Sequence, residues 1–270
     1  MSFLEGALTT MALCWRVERR DGIAIGLTDH DRDLLLDGLV HRAAPGMLPS
    51  AIRRSDGLDV DTMDIAGALT SSAITEADLV AGRWDGARVV LFAADWSGTD
   101  PTLVPLGTGT IGAVETGRDG FTAELRGASA GLERPVVEVT SAECRAELGD
   151  ARCRVALAGR RRIVRVVALA GQEVTVDTLE PLANAYGGGV LRWIGGANSG
   201  LQGAIAASDG ARVTLRHEPG LPVLAGDLVE LIEGCDKSLA TCAARFGNAA
   251  NFRGEPYLPG IDLLTRYPGA

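Results

Sequence analysis

The sequence is poor in features that identify a membrane protein or a common type of enzyme. No apolar run approaches the roughly 18 residues that a membrane-spanning helix needs. The N-terminus lacks the charged region and long apolar stretch of a secretory signal. Neither a His-Glu-x-x-His motif nor a Walker-type phosphate loop occurs in the 270 residues. We therefore expect a chain that is made in the cytoplasm, does not span a membrane and is not an enzyme of these types.

Basic residues are also in the minority, with 26 Lys and Arg against 35 Asp and Glu and a net charge of −9. An acidic surface repels phosphate backbones, so extensive binding of nucleic acid is not expected. Histidine is scarce, with three residues that form no spaced motif. The cluster Asp29-His30-Asp31 is accordingly predicted to be a polar turn between strands and not an acid–base site.

Glycine, in contrast, is plentiful at 35 residues, and the apolar runs are short. This composition is typical of many strands joined by tight turns, and it predicts a mainly β protein. In the N-terminal half, one short helix is predicted after Thr75, which can cap it, with Asp78 three residues later. The strands predicted there are residues 11–18, 22–27, 87–93, 107–115 and 120–126, and we expect a barrel-like domain.

After Cys153 the pattern of short strands is clearer. Six short β segments at regular spacing predict a small barrel of about 70 residues. The glycine triplet 187–189 lacks the Lys and the Ser or Thr of a phosphate loop, and it is predicted to be a flexible turn. Beyond Cys235 the sequence is rich in turns and does not alternate. The six predicted segments are residues 163–169, 173–178, 189–194, 201–207, 212–217 and 227–232.

Four of the five cysteines form two pairs, Cys144 with Cys153 and Cys235 with Cys242, which bracket the predicted barrel. Because the two ends of an inserted barrel lie close together, we expect the pairs to meet. Four thiolates can hold a zinc ion or the four corners of an iron–sulfur cubane. Neither pair has Cys-x-x-Cys spacing, so unrelated buried thiols are an alternative. Cys14, on a predicted strand, is expected to be a core residue.

The turn-rich C-terminal part contains characteristic motifs around its two cysteines, and softer ones lie upstream. The C-terminal motifs are Gly234-Cys235-Asp236-Lys237, Thr241-Cys242, Arg245-Phe246-Gly247-Asn248 and residues 251–260, and the upstream ones are residues 26–31, 78–87 and 107–112. Together they resemble a family of phage and prophage tail tip proteins, the baseplate hubs, which includes the hub of gene transfer agents. The cysteine intervals are also similar to those of a tail tip protein of phage lambda, in which four cysteines bind a 4Fe–4S cluster.

The resemblance implies a structural hub subunit at the tail tip of a phage-like particle, synthesised and assembled in the bacterial cytoplasm. It implies a homotrimeric ring between a ring of distal tail protein and a large tip or fibre-bearing protein, with a lumen that passes DNA without specific binding. It also implies that the cluster ligands are Cys144, Cys153, Cys235 and Cys242.

The resulting expectation has three regions. Residues 1–140 form a β-rich hub domain, residues 141–158 with 233–270 form a module ligating the metal cluster, and residues 159–232 form the inserted barrel. Zinc is the alternative to the iron–sulfur cluster. The alternative function is a soluble iron–sulfur or zinc enzyme, against which stands the closed character of a site with four thiolate ligands.

Overall fold

The structure is a computed structural model that describes residues 10–43, 47–49, 62–68, 74–97, 101–116, 120–127, 130 and 137–258. The chain divides into two compact units, Met1–Val136 and Val137–Ala270. Strands dominate both units, so the predicted mainly β class is confirmed. Within these residues, no helix has the length and apolarity needed to cross a bilayer.

The first unit is built on one nine-stranded sheet in which nearly all neighbours are antiparallel. The strand order is β3-β4-β2-β1-β7-β8-β9-β6-β5, with a parallel pair between β2 and β4. The sequence analysis expected a barrel-like form, and the described strands have β3 and β5 at the two ends of the order. The strands are β1 (Met11–Glu18), β2 (Ala24–Thr28), β3 (Leu34–Leu36), β4 (Leu39–Arg42), β5 (Met47–Pro49), β6 (Thr62–Ala68), β7 (Arg88–Asp95), β8 (Leu103–Thr116) and β9 (Gly120–Arg126).

Strands β1 and β7 lie side by side in the middle of this sheet and carry much of its core. Trp15 and Leu91 pair across the two strands and are both buried. Helix α1 (Glu76–Val80) begins after Thr75, whose hydroxyl accepts a hydrogen bond from the Asp78 amide, as the sequence predicted. Leu79 of α1 packs into the same core.

The second unit contains a closed six-stranded barrel, which confirms the predicted barrel. Every predicted segment overlaps one of its strands, because apolar side chains alternate between the interior and the solvent. The strand order is β10-β11-β14-β13-β12-β15, with β15 pairing back to β10. The strands are β10 (Arg161–Ala170), β11 (Glu173–Val176), β12 (Val190–Trp193), β13 (Gln202–Asp209), β14 (Arg212–Leu215) and β15 (Leu228–Ile232).

The first and last strands of the barrel pair so that the chain enters and leaves at one place. Arg161, the first residue of β10, lies opposite Ile232, the last residue of β15. The segment before the barrel and the segment after it therefore start from adjacent points.

The glycine triplet before β12 lies against the chain that leaves the barrel. A Cβ atom on Gly189 would lie 2.2 Å from the Ile232 carbonyl oxygen, and one on Gly188 would lie 2.7 Å from the Cys235 carbonyl oxygen. Residues 187 and 188 lie in a turn, as predicted. Positions 188 and 189 are glycine because two backbones approach too closely for a side chain.

This close approach predicts the effect of one added methyl group. Gly189→Ala should destabilise the junction of β12 and β15 by about 1–3 kcal/mol, because overpacked backbone must move apart. Gly195→Ala is the matched control, since its Cβ would meet its nearest neighbour at an ordinary 3.4 Å. Hydrogen-exchange mass spectrometry of the full chain checks this, and equal protection of β15 amides in both variants would contradict it.

Candidate metal centre

The four paired cysteines lie on the two segments that flank the barrel. Cys144 and Cys153 belong to the irregular segment that leads into β10. Cys235 follows the end of β15 by three residues, and Cys242 lies in helix α2 (Leu239–Ala244). Helix α2 was not predicted from the sequence. Its first turn is capped by the Ser238 hydroxyl, which accepts a hydrogen bond from the Thr241 amide.

The structure brings the two cysteine pairs together. The Cys144 amide donates a 2.9 Å hydrogen bond to the Lys237 carbonyl oxygen, two residues beyond Cys235. Burial raises the pKa of the Cys242 thiol, and the neighbouring sulfurs of Cys235, Cys144 and Cys153 raise it further. The other three cysteines are thus near enough to Cys242 to act on its thiol. Across the described residues, no three His, Cys, Asp or Glu side chains are grouped so that they could hold a metal ion.

Three of the four sulfur atoms accept hydrogen bonds from N–H groups. The Lys237 amide lies 3.4 Å from Cys235 Sγ, and the Arg253 amide lies 3.4 Å from Cys144 Sγ. The Asn248 side-chain nitrogen lies 3.7 Å from Cys153 Sγ. Donors of this kind stabilise a thiolate, and around iron–sulfur clusters they set the reduction potential.

Lys237 holds a backbone conformation that serves the site. Its φ of 63° lies in the left-handed region, which is uncommon for a residue other than glycine. In this conformation its N–H faces Cys235 Sγ while its carbonyl accepts from the Cys144 amide. Its ammonium group, 2.6 Å from the Ala146 carbonyl oxygen and 2.9 Å from Glu147, ties the residue to the first cysteine segment. Conformational strain of this type is often retained where function requires it.

A bidentate ion pair joins the end of the described chain to the first cysteine segment. Both Arg145 terminal nitrogens donate to Glu255, at 2.6 and 2.7 Å, and the Ser141 amide donates to the same carboxylate. The Arg145 guanidinium lowers the pKa of Glu255 to about 2. At Gly254 an added Cβ would lie 2.6 Å from the Glu143 carbonyl oxygen, so the two segments are in direct backbone contact.

A second cluster of charges joins helix α2 to the barrel. The buried Glu233 carboxylate accepts from Arg160 and from Arg245, both at 2.7 Å. The two guanidinium groups each lie 4.9 Å from the centre of the Phe246 ring. Arg245 also donates to the Ala185 carbonyl oxygen at 2.9 Å. The basic run that begins at Arg160 is therefore partly a structural element.

The residues present fit an iron–sulfur cluster by the chemistry of their donor set. The other three paired cysteines act on the thiol of Cys242, and thiolate is the ligand that iron–sulfur clusters use. Three N–H donors to sulfur supply the outer shell that such clusters require. These donors were missed in the sequence analysis. Two of them are backbone amides, and only the motif that contains Asn248 pointed to the third.

Other candidates lie away from this centre along the chain. Cys14 is fully buried in β1, with its sulfur 3.4 Å from the Thr28 hydroxyl, as expected of a core residue. Asp29 and His30 form a polar turn after β2, in which the Asp29 carboxylate accepts from the Leu13 amide. The pentapeptide 127–131 has the letters Gly-x-Ser-x-Gly of a nucleophile elbow. Its Ser129 lies outside the described residues.

The depressed pKa of Glu255 predicts a pH-dependent contribution to stability. Its folded pKa of about 2 lies below the value of about 4.3 for an unfolded chain. The ion pair therefore stabilises the fold above about pH 4.3, and this contribution is lost as the pH falls through 2. Glu255→Gln should be less stable than wild type at pH 7, with a difference that shrinks on acidification. Urea unfolding at several pH values measures this.

Glu147→Gln is the control for that experiment, because its carboxylate is 81% exposed and its pair with Lys237 is screened by solvent. A Glu147→Gln protein as destabilised as Glu255→Gln would contradict the special role of the Arg145 pair. So would a Glu255→Gln deficit that does not change with pH.

The comparisons with known proteins agree with one another. A family model described as "Baseplate hub protein, N-terminal attachment domain" matches residues 1–156, and one described as "Phage conserved hypothetical protein BR0599" matches residues 184–262. A chain of the solved structure "Virion of native gene transfer agent (GTA) particle" is 35% identical with a TM-score of 0.87, over 99% of this chain and 94% of its own. No curated protein matches. The first model covers more than half of the sequence, and the chain therefore belongs to the baseplate hub family of phage-like particles.

Proposed function

We propose that this hub protein forms a homotrimeric ring that closes the distal end of a phage-like tail. The ring links a ring of distal tail protein to the large receptor-facing or cell-puncturing protein, or to a fibre-bearing tip protein. Similarity to a chain of a gene transfer agent virion over almost the full length of both chains supports this role. Closed cyclic symmetry supplies a ring from identical subunits. The protein is synthesised and assembled in the bacterial cytoplasm.

In this proposal DNA passes through the lumen without specific binding. The net charge of −9 supports this part, since an acidic lining repels phosphates and does not retain them. The protein then acts through its geometry, and we assign it no catalytic step.

We further propose that Cys144, Cys153, Cys235 and Cys242 hold a 4Fe–4S cluster. The observation that carries this is the 2.9 Å hydrogen bond from the Cys144 amide to the Lys237 carbonyl oxygen, which joins the cysteine segments on the two sides of the barrel. The effect of the other three thiols on Cys242 agrees with it. A single zinc ion needs every sulfur at about 2.3 Å, whereas each thiolate of a cubane binds a different iron atom. We favour the cubane because its four separate iron corners accommodate ligands at the irregular spacing of these cysteines.

The proposed role of the cluster is structural. Beyond Ile232, Cys242 is the only buried apolar residue of the described chain. A segment of this kind cannot be held by a hydrophobic core, and a metal centre can supply the missing folding free energy. The cluster would thereby fix the surface on which the next tip protein docks.

The metal content tests the ligand assignment directly. Protein purified without oxygen from cells with intact cluster assembly should contain about four irons per chain, as a cubane requires. Cys144→Ser and Cys242→Ser should lose them, because each removes one corner ligand. Cys14→Ala should retain them, since Cys14 is buried in the first unit. Elemental analysis measures the iron and zinc content. One zinc per chain without iron would refute the iron–sulfur cluster. Loss of iron from the Cys14→Ala protein would refute the assignment of the four ligands.

Limited proteolysis tests the structural role. Cys235→Ser protein should be cut rapidly after Arg245 and Arg253, because the segment beyond β15 loses its main attachment. The first unit should persist, since its own apolar core holds it. Particles that carry this variant should lack complete tails. Normal tails and unchanged resistance to protease, with a defect only after assembly, would instead favour the alternative of an iron–sulfur or zinc enzyme.

A further inference from the structure

Asn248 contacts both cysteine pairs, one through its backbone and the other through its side chain. Its backbone amide donates a 3.0 Å hydrogen bond to the Cys242 carbonyl oxygen, just beyond the end of helix α2. Its side-chain nitrogen donates to the Cys153 carbonyl oxygen at 2.7 Å and lies 3.7 Å from Cys153 Sγ. An amide NH₂ group has two hydrogens, so it can serve both acceptors at once.

The orientation of this amide is determined by a neighbouring asparagine. The Asn251 side-chain nitrogen donates to Asn248 Oδ1 at 2.7 Å. Residues Ala249–Asn251 form a 3-10 turn, which places side chains three residues apart above one another. With Oδ1 occupied by this donor, the NH₂ group of Asn248 has to face Cys153.

The sulfur donors differ in how they can be changed. Cys144 and Cys235 accept from backbone amides of Arg253 and Lys237, which no substitution removes except by proline. Cys153 accepts from a side chain. This corner of the site is therefore the one that the sequence can adjust through a single residue.

We propose that Asn248, oriented by Asn251, is a positioning residue of the metal centre that determines how firmly the Cys153 thiolate holds its metal. This inference rests on the proposed cluster. Outer-shell donors to a ligand typically contribute about 10–100-fold to metal affinity. Loss of the Asn248 donor therefore weakens the bond between the Cys153 sulfur and its metal before the others. A cluster with fewer N–H donors to sulfur is also harder to reduce.

Isosteric substitutions in the full-length holoprotein test the proposal. Asn248→Asp replaces the NH₂ donor by an oxygen, and it should release iron to an excess of chelator about 10-fold faster than wild type. Its cluster should also have a more negative reduction potential. Asn251→Asp does not touch sulfur, but a carboxylate can only accept, so the Asn248 amide must turn its oxygen toward Cys153. This variant should change release and potential in the same direction.

Asn184→Asp is the matched control. The Asn184 side-chain oxygen accepts a hydrogen bond from the Ser208 amide, and an aspartate oxygen can accept the same bond. Release and potential equal to this control in both variants would overturn the proposal. Loss of the far-ultraviolet circular dichroism signal in both variants would also overturn it, since the two asparagines would then hold the fold. Wild-type protein without iron would refute the proposed cluster. A cluster whose iron release and reduction potential are the same in Asn248→Asp and wild type would refute only the role of Asn248.

Discussion

The pairing of the first and last strands of the barrel is the constraint on which the second unit depends. With Arg161 opposite Ile232, the segments that carry the two cysteine pairs emerge side by side. The barrel has its own core of buried apolar residues, so this closure does not require a metal. The closure thus brings together two segments although eighty-one residues separate Cys153 from Cys235. Without that closure, ordering two separate loops around one centre would carry a large entropic cost.

Beyond the barrel, the chain is held by polar contacts in place of a core. The Glu233 carboxylate joins Arg160 and Arg245 on the barrel side, and the pair of Arg145 with Glu255 joins the far end to the first cysteine segment. Such contacts specify a geometry, but a few ion pairs contribute less free energy than a hydrophobic core. A cluster between these two attachments would contribute the stability, while the ion pairs determine where each sulfur lies. In this chain the segment accordingly combines cysteines with arginines, asparagines and glycines.

The sequence predicted the barrel well and the C-terminal segment poorly, for physical reasons. Barrel strands such as β11 and β14 alternate between a buried and a less buried face, which is visible in short windows of sequence. Helix α2 has six residues and buries only Cys242, so it leaves no periodic signal. Strands β3 and β4 are three and four residues long and were missed for the same reason.

The candidate site shows the same limit. The meeting of the two cysteine pairs was predicted from the position of the barrel, while their identity as ligands came from a family resemblance and stays a prediction. The donors to sulfur could not be predicted, because a backbone amide such as that of Arg253 has no signature in sequence. The tight packing at Gly189 was likewise hidden, since a glycine that avoids a clash and a glycine that permits flexibility are the same letter.

The central claim is that four thiolates from both sides of the barrel hold one iron–sulfur cluster. X-ray absorption at the iron and zinc edges of the anaerobically purified protein tests it most directly. The account predicts iron with sulfur ligands and with further iron atoms as the next neighbours, as in a cubane. Zinc surrounded by sulfur without a metal neighbour, or protein free of both metals, would contradict it.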